Sequence, residues 1–265
     1  MIQLVKMTDL LITTIQTHLH WEDVDANLLH FSVKINSIVG HTDVIVLPEM
    51  FTTGFTMKPE QLAEEHGGKG LQWMIQKAQE KSCVIVGSIS VKEKGLFYNR
   101  LYWVNPDGSY QQYNKRHLFR MGNEHEYYTA GDQKIIIEYK GWKICPLVCY
   151  DLRFPVWSRN TKANTYDVLI YVANWPEVRS YPWQQLLIAR AIENQVYVVG
   201  VNRIGEDGNH YRHSGNSVVL NPRGETMSHT LSNIDSVETT PLSYQYLQDF
   251  RSAFPVLLDG DDFNL

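Results

Sequence analysis

Short apolar runs rich in β-branched residues recur along the chain, and each is bounded by Gly, Pro, Asn or Asp. Such runs are typical of β-strands, because branched side chains favour extended backbone and the flanking residues favour turns. Longer segments with apolar residues at helical spacing lie between several of the runs. The predicted strands are 10–15, 44–47, 84–89, 101–104, 135–137, 144–148, 168–172, 196–201 and 217–220, and the predicted helices are 23–39, 69–81, 155–164 and 181–194. The pattern predicts an α/β fold.

A weak internal repeat refines this prediction. Three pairs of segments carry it in the same order: DVIVLPEMF (43–51) with DVLIYVANW (167–175), VIVGSIS (84–90) with YVVGVNR (197–203), and LYWVNPDG (101–108) with SVVLNPRG (217–224). The Asn-Pro-x-Gly sequence predicts a turn in both copies of the third pair. Two halves that each form a sheet with helices on one face would pack their bare faces together, which predicts a four-layer α-β-β-α sandwich. Chance similarity between short β-branched runs is the alternative.

Length and composition favour one domain over 1–265, because 265 residues with 43% apolar side chains bury a substantial core and the composition is even. From about residue 236 the strand pattern gives way to a helix-like stretch and an acidic tail with Pro and Gly. Tails of this kind can pack on a partner subunit.

The charge distribution indicates a small-molecule partner. The net charge is −5, the isoelectric point is about 6.0, and Lys and Arg are scattered, so we expect neither nucleic acid nor an anionic membrane as a partner. No apolar run approaches the roughly 20 residues that span a bilayer. The N-terminal stretch is interrupted by Lys6 and Asp9, unlike a signal peptide. A cytoplasmic location is expected.

Three cysteines, Cys83, Cys145 and Cys149, show none of the paired spacings of a zinc or redox site. In an extended strand, Cys145 and Cys149 would lie about 13 Å apart, too far for a disulfide. Free thiols are therefore predicted. Cys83 begins an apolar strand and fits a buried, inert cysteine.

Cys149 differs, because the predicted strand PLVC ends on it and a helix-like segment follows. The carboxyl ends of strands form the rim where α/β proteins build sites. A helix N-terminus there would stabilise a thiolate and aim backbone N–H groups at an oxyanion. A nucleophilic thiol is the functional interpretation, and a buried structural cysteine is the alternative.

Two charged residues could serve such a nucleophile. Glu49 directly follows an apolar run and a proline, where a carboxylate is partly desolvated and could act as a base. Lys115 lies among aromatic and apolar neighbours in QQYNKRHLF and could stabilise developing negative charge. The alternatives are a helix-capping carboxylate and a solvent-facing lysine.

The three motifs LPEMFTTGF, YNKRHLF and CYDLRFP, in this order, resemble the Glu-Lys-Cys signature of the nitrilase superfamily of carbon–nitrogen hydrolases. The resemblance covers nearly the whole chain, and that superfamily has an αββα sandwich. Within it, the segments HLFRMGNEHEYYTAGD, VCYDLRFPVWSRN, YVANWP and ARAIENQ most resemble the bacterial omega-amidases. The resemblance implies a hydrolase of linear amides that needs no metal and no organic cofactor.

The same resemblance assigns the site residues. It implies that Glu49 is the general base, Lys115 the oxyanion stabiliser and Cys149 the nucleophile, with the backbone N–H of Tyr150 completing the oxyanion site. Glu124, eight residues before Asp132 of the TAGD turn, corresponds to a second glutamate that orients the lysine and the substrate. Glu126 is a weaker competitor for that role.

An omega-amide of a keto acid carries a distal carboxylate, which a guanidinium can bind with two hydrogen bonds. Arg153 resembles the arginine that family members use in this way, and Arg179 is a second candidate. Phe55 and Trp175 could wall the pocket. An ion pair with Asp151 or another carboxylate is the alternative for Arg153, and a solvent-facing loop position is the alternative for Arg179. By resemblance, a homodimer is expected.

Several other functions stay open at this point. The substrate could instead be deaminated glutathione or an N-carbamoyl amino acid, and the site could be an inactive binding module. A Cys–His arrangement would need His117 beside Cys149. A sandwich fold is also compatible with a metal-dependent phosphoesterase, whose activity a chelator would abolish.

Overall fold

The computed structural model describes residues 9–261, and two large β-sheets with flanking helices form this part of the chain. The strands are β1 (Leu10–Gln16), β2 (Val44–Val46), β3 (Glu64–Glu65), β4 (Val84–Glu93), β5 (Leu96–Val104), β6 (Tyr110–Asn114), β7 (Ile137–Tyr139), β8 (Trp142–Val148), β9 (Val168–Ala173), β10 (Tyr197–Asn202), β11 (Ile204–Glu206), β12 (Arg212–Ser214), β13 (Val218–Leu220) and β14 (Ser236–Leu242). The α-helices are α1 (Val24–Asn36), α2 (Pro59–Leu62), α3 (Lys69–Lys81), α4 (Glu124–Tyr127), α5 (Pro155–Ser158), α6 (Ser180–Asn194) and α7 (Tyr244–Ala253). Short 3-10 helices lie at Arg120–Gly122, Cys149–Arg153, Glu177–Arg179 and Val256–Leu258.

The strand order confirms the internal repeat. One sheet has the order β14-β1-β2-β4-β5-β6, with β3 paired to β4, and the other has the order β13-β10-β9-β8-β7. In the first sheet β1, β2 and β4 are parallel and β5 is antiparallel to β4. In the second sheet β8, β9 and β10 are parallel and β13 is antiparallel to β10. The order β1-β2-β4-β5 therefore recurs as β8-β9-β10-β13.

The two Asn-Pro-x-Gly turns repeat at the level of hydrogen bonds. The Gly108 N–H donates to the Asn105 carbonyl at 3.0 Å, and the Gly224 N–H donates to the Asn221 carbonyl at 2.9 Å. Both glycines have positive φ, +85° and +79°, which a side chain would disfavour. The same turn therefore follows the corresponding strands β5 and β13 of the two halves.

The packing of the two sheets gives the predicted four layers. Val44 and Val46 on one face of β2 share a buried cluster with the strands of the five-stranded sheet. Ile45, on the opposite face, lies in a separate cluster with α1 and α3. On the far side of the second sheet, α6 approaches β10 so closely that a Cβ at Gly200 would lie 2.6 Å from Leu187. The α-β-β-α sandwich is confirmed.

Some predicted elements differ from the structure. The helix predicted over 155–164 ends at Ser158, because Asn160 binds elsewhere: its N–H donates to Asn194 at 2.8 Å and its side-chain amide donates to the Tyr166 carbonyl at 3.1 Å. The strand predicted at 135–137 instead spans Ile137–Tyr139. Strands β3, β6, β11, β12 and β14 were not predicted, since their sequences are largely polar.

The segment after residue 236 packs against the two sheets of the same chain. Strand β14 pairs with β1 along its whole length. Helix α7 is held by Arg251, which donates to the Asp167 carboxylate at 2.7 Å and to the Tyr166 and Gln195 carbonyls at 2.7 and 2.9 Å. Contact of the following residues with a partner subunit stays a prediction, as does the single-domain boundary at 1–265.

Among residues 9–261, no helix is long and apolar enough to cross a membrane. Lys6, which breaks the apolar N-terminal stretch, lies outside the described residues.

Candidate active site

Cys149 occupies a sharp turn between β8 and the 3-10 helix Cys149–Arg153. Its φ is +43°, a left-handed conformation that costs a non-glycine residue of order 1–3 kcal/mol. Asp151 holds the turn, because its Oδ2 accepts the Val148 N–H at 3.0 Å and the Tyr113 hydroxyl at 2.7 Å. Only 8% of Cys149 is exposed. The turn presents the thiol at the strand end, as the sequence predicted.

Glu49 is fully buried beyond the end of β2, and its carboxylate is held from three sides. Oε1 accepts from Lys115 Nζ and from Asn99 Nδ2, both at 2.8 Å, and Oε2 accepts the Asn174 N–H at 2.8 Å. The Glu49 charge and a hydrogen-bonding interaction with Glu49 both raise the pKa of the Cys149 thiol, so the carboxylate neighbours the sulfur. It can therefore take a proton from the sulfur with little movement.

Lys115 directly follows β6 and lies between two carboxylates. Its Nζ donates to Glu49 Oε1 at 2.8 Å and to the two oxygens of Glu124 at 2.9 and 3.1 Å. Glu124 opens α4 and accepts the Phe119 N–H at 2.6 Å. Glu126, the competitor, is exposed. The structure therefore brings together the four residues that the sequence singled out.

The charges of this cluster fix its protonation pattern. Burial alone would lower the pKa of Lys115, but the Glu124 and Glu49 charges outweigh it and raise the pKa above its ordinary value. Burial raises the pKa of Glu124, which the Lys115 charge only partly offsets. Burial and the Glu49 charge raise the pKa of Cys149 well above its ordinary value, against a smaller lowering by Lys115. Cys149 is therefore a neutral thiol that needs a base.

This result corrects one expectation. The sequence predicted that a helix N-terminus after Cys149 would stabilise the thiolate. Instead, the following element is a 3-10 helix of five residues, and burial dominates the pKa of the thiol. Cys83 behaves as predicted: it is buried, and burial raises its pKa to about 12. All three cysteines are free.

An aromatic wall borders the lysine. The Phe55 ring centroid lies 5.1 Å from Lys115 Nζ and 6.4 Å from the Phe119 centroid. The Phe119 ring contacts the Tyr150 ring edge-on at 5.1 Å. Tyr150 is the second residue of its 3-10 helix, where a backbone N–H has no partner within the helix and can serve an oxyanion.

Both candidate arginines lie over aromatic rings rather than in the cluster of buried charges. Arg153 is exposed, and its Cζ lies 5.1 Å from the ring centroid of the buried Trp175. Arg179 places Cζ 5.6 Å from the Phe119 centroid, and one of its N–H groups donates to the Met121 sulfur at 2.9 Å. The ring of Trp175 is tied to Arg179 by a 2.7 Å bond from its indole N–H to the Arg179 carbonyl. Arg179 therefore borders the aromatic wall at Phe119, and Arg153 lies over Trp175, which is bonded to the backbone of Arg179.

A family model described as carbon-nitrogen hydrolase matches residues 11–251, most of the chain. The chain belongs to the carbon–nitrogen hydrolase family. The resemblance on the Glu-Lys-Cys motifs is thereby confirmed, and the protein is a hydrolase of carbon–nitrogen bonds other than peptide bonds.

Three relatives show how far the similarity extends. An Escherichia coli protein named omega-amidase YafV is 48% identical over 265 residues, covering 98% of this chain and 100% of the relative. A Bacillus subtilis 2-oxoglutaramate amidase is 33% identical over 222 residues, covering 83% and 85%. A crystal structure from Xanthomonas campestris, a CN-hydrolase superfamily protein with an arsenic adduct in its active site, superposes with a TM-score of 0.95 at 40% identity, covering 98% of this chain and 100% of that one.

Asn99 is a polar residue of the site in this carbon–nitrogen hydrolase that no sequence motif indicated. Asn99, on β5, is fully buried and donates Nδ2 to Glu49 Oε1 at 2.8 Å and to Glu124 Oε1 at 3.1 Å. It links two carboxylates that would otherwise repel each other. The only signal in the sequence was an uncharged polar residue beside the apolar part of a strand.

His117 does not fit the Cys–His alternative. Its backbone N–H and its ring Nδ1 both bond to Asp151 Oδ1, at 3.0 and 2.8 Å, and its ring stacks on Phe154 at 3.8 Å. The charged neighbours of Cys149 are Glu49 and Lys115. The alternative of an Arg153–Asp151 ion pair is also wrong, because the Asp151 carboxylate is occupied by His117, Tyr113 and the Val148 N–H.

Proposed function

We propose that the protein is an omega-amidase that hydrolyses the terminal amide of small keto-acid amides, such as 2-oxoglutaramate and 2-oxosuccinamate, to a dicarboxylate and ammonia. The observation that carries the chemistry is the buried Glu49 carboxylate, which is hydrogen-bonded to Lys115 and raises the pKa of the neighbouring Cys149 thiol. The substrate class rests on the 48% identity over the full chain to an omega-amidase.

In the first half of the reaction, Cys149 attacks the amide carbon while Glu49 accepts the thiol proton. Negative charge moves to the carbonyl oxygen, where Lys115 and the Tyr150 N–H stabilise it. The ammonium form of Lys115 is kept by its two carboxylate partners. Glu49 then returns the proton to the departing nitrogen, ammonia leaves, and a thioester remains on Cys149.

In the second half, water attacks the thioester. Glu49 accepts a proton from this water, the same oxyanion site stabilises the second tetrahedral species, and the Cys149 sulfur leaves with that proton. Glu124 takes no proton in this scheme: its hydrogen bonds to Lys115 orient the ammonium. One carboxylate therefore serves both halves of the reaction.

The distal carboxylate of the substrate is assigned to Arg153 and Arg179. Arg179 lies over Phe119 of the aromatic wall, Arg153 lies over Trp175, and each guanidinium is rich in parallel N–H donors. Phe55 and Trp175 would contact the carbon chain between the amide and the carboxylate. We further expect a homodimer in the cytoplasm, which light scattering of the purified protein and cell fractionation would test.

Ammonia release tests the proposal. Wild type and Cys149→Ala are assayed on 2-oxoglutaramate, 2-oxosuccinamate, glutamine, a carbamoyl amino acid, deaminated glutathione and a nitrile. Turnover that depends on Cys149 and favours the two keto-acid amides is expected. Turnover confined to another compound would retain the Glu-Lys-Cys chemistry and reject the substrate class, whereas activity in Cys149→Ala would reject the nucleophile.

A further inference from the structure

Three histidines cluster at the rim of the seven-stranded sheet, outside the site around Cys149. His18 and His20 follow β1, and His30 lies on α1. One ring nitrogen from each can be chosen so that all three lie within 4.8 Å of one another. The ring centroids are separated by 4.3 Å for His18 and His30, 5.0 Å for His18 and His20, and 5.6 Å for His20 and His30.

Local structure fixes this arrangement. His18 forms a bridge with Ile204 and continues the extended backbone of β1, so that His18 and His20 lie two residues apart on one side. Asn27 of α1 then ties the loop to the helix: it accepts the His20 N–H at 2.8 Å and donates to the His20 carbonyl at 2.7 Å. The helix that carries His30 is therefore held against the loop that carries the other two histidines.

The hydrogen bonds of His30 select the tautomer that a metal ligand needs. The Thr17 hydroxyl donates its single proton to Asp235 Oδ2 at 2.6 Å. The same hydroxyl oxygen lies 2.7 Å from His30 Nε2, and it can only accept a hydrogen bond there. His30 Nε2 therefore carries the ring hydrogen. Nδ1 is left with a free lone pair. A hydrogen-bond partner that fixes a ligand histidine through its second nitrogen is a common feature of metal sites, and here the Thr17 hydroxyl takes that position.

We propose that His18, His20 and His30 bind one divalent transition-metal ion of the zinc class. Imidazole nitrogens at 2.0–2.1 Å from a tetrahedral ion lie about 3.3 Å apart. The present separations must therefore shorten by at most about 1.5 Å, which ring rotations supply. Asp235 forms a 2.5 Å ion pair with Lys34, which neutralises the cation on α1 that faces the site.

Metal binding would clamp the β1–α1 loop rather than take part in hydrolysis. Asn27 donates not only to His20 but also to the Thr52 carbonyl at 2.9 Å, in the segment that follows Glu49. A bound ion would therefore raise the stability of the rim on which Glu49 and Phe55 lie. This structural site is separate from the hydrolytic chemistry, for which the family resemblance implies no metal.

Calorimetric titration of the metal-free, untagged protein with Zn²⁺ tests the proposal. All variants are made in a Cys149→Ala background, so that the active-site thiol cannot bind the ion. One equivalent is expected to bind, with an increase in melting temperature. His18→Ala, which alters an exposed residue, and His30→Gln are each expected to weaken Zn²⁺ binding by at least about tenfold. Thr17→Val should weaken it by roughly 10-fold, since it removes the hydroxyl that links His30 Nε2 to Asp235.

The matched control is His210→Ala, which removes a histidine whose side chain is 87% exposed and pairs with Glu206. It should leave the affinity unchanged. Absence of stoichiometric binding, or equal binding by the His18→Ala and His210→Ala proteins, would overturn the proposal. If His30→Gln fails to fold, the His18→Ala and Thr17→Val titrations still decide it.

Discussion

The Asn174 backbone N–H donates to Glu49 Oε2 at 2.8 Å, and the two residues follow equivalent strands of the two halves, β9 and β2. The Asn174 side-chain amide also donates to the Glu49 carbonyl. Glu49 is thus oriented by the half of the chain that also carries Cys149. The internal repeat therefore bears directly on the proposed chemistry, because the base of one half is positioned by the other.

The Glu49→Gln substitution should lower the pKa of Cys149. The Glu49 charge and its hydrogen bond both raise that pKa, so their removal favours the thiolate. Iodoacetamide modification, followed by mass spectrometry from about pH 6 to about pH 10, is expected to rise at lower pH in the variant than in wild type. Cys149→Ala measures the background from Cys83 and Cys145. Identical pH profiles would contradict the assignment.

Lys115→Ala should lose both activity and stability. It leaves the Glu49 and Glu124 carboxylates buried without their cation, which costs roughly 3–5 kcal/mol in the free energy of unfolding. Burial already raises the pKa of Glu124, and removing the cation raises it further, so stability is lost as pH rises through that raised pKa. Denaturant unfolding should therefore show a larger deficit at neutral pH than near pH 5.

Lys69→Ala is the control for this comparison, because Lys69 and its partner Asp25 are both exposed and such pairs contribute only about 0–1 kcal/mol. A Lys115→Ala protein as stable as the control would argue against the buried charge cluster.

Asn99→Leu should reduce kcat with little change in KM. The substitution keeps the side-chain size but removes both hydrogen bonds, a loss of about 1–3 kcal/mol that corresponds to roughly ten- to hundredfold. Steady-state kinetics on the best amide measures the two constants separately. A higher KM at unchanged kcat would place Asn99 in substrate binding instead of in the orientation of Glu49.

Arg153→Lys and Arg179→Lys should each raise KM for keto-acid amides by about tenfold, because lysine keeps the charge but loses the paired N–H donors. Kinetics on an amide without a distal carboxylate is the comparison, and there the variants should match wild type. Unchanged KM in both variants would remove the arginines from the pocket.

His117→Ala should remain active. The ring of His117 is hydrogen-bonded to Asp151, which holds the turn at Cys149. Loss of the ring should therefore lower the melting temperature and reduce the rate of hydrolysis without abolishing it. Glu49→Gln, assayed beside it, should be inactive. Loss of activity in His117→Ala with retention in Glu49→Gln would reverse the assignment of the base.

Much of the fold was predictable, since the strands of both sheet centres are apolar and β-branched. Strands β6 and β14 were missed because YQQYN and SVETTPL are polar edge sequences, which gain their structure from pairing with β5 and β1. No local pattern encodes such tertiary pairing. The helix predicted after Pro155 ends early for a similar reason, because Asn160 bonds to the distant Asn194.

The site was predictable to the extent that its residues lie in motifs. Glu49, Lys115, Glu124 and Cys149 were all identified from the sequence, and the structure places them in contact. Asn99 lies in no motif, and Asp151 was considered only as a partner of Arg153. The prediction that the Cys149 thiolate would be stabilised was wrong, because burial raises the pKa of the thiol. Burial depends on the whole fold and outweighs the effect of the local helix.

Lys115 and Glu124 lie on the segment that carries the chain from β6 in one sheet to β7 in the other. The lysine between the carboxylates therefore spans the boundary between two layers, with the base on one and the nucleophile on the other. A displacement of about 1 Å between reacting groups can cost a hundredfold in rate. The turnover rate would thus depend on how well the two sheet layers are aligned. A cavity in the core, or hydrostatic pressure, that shifts the layers would abolish activity while the protein remained folded.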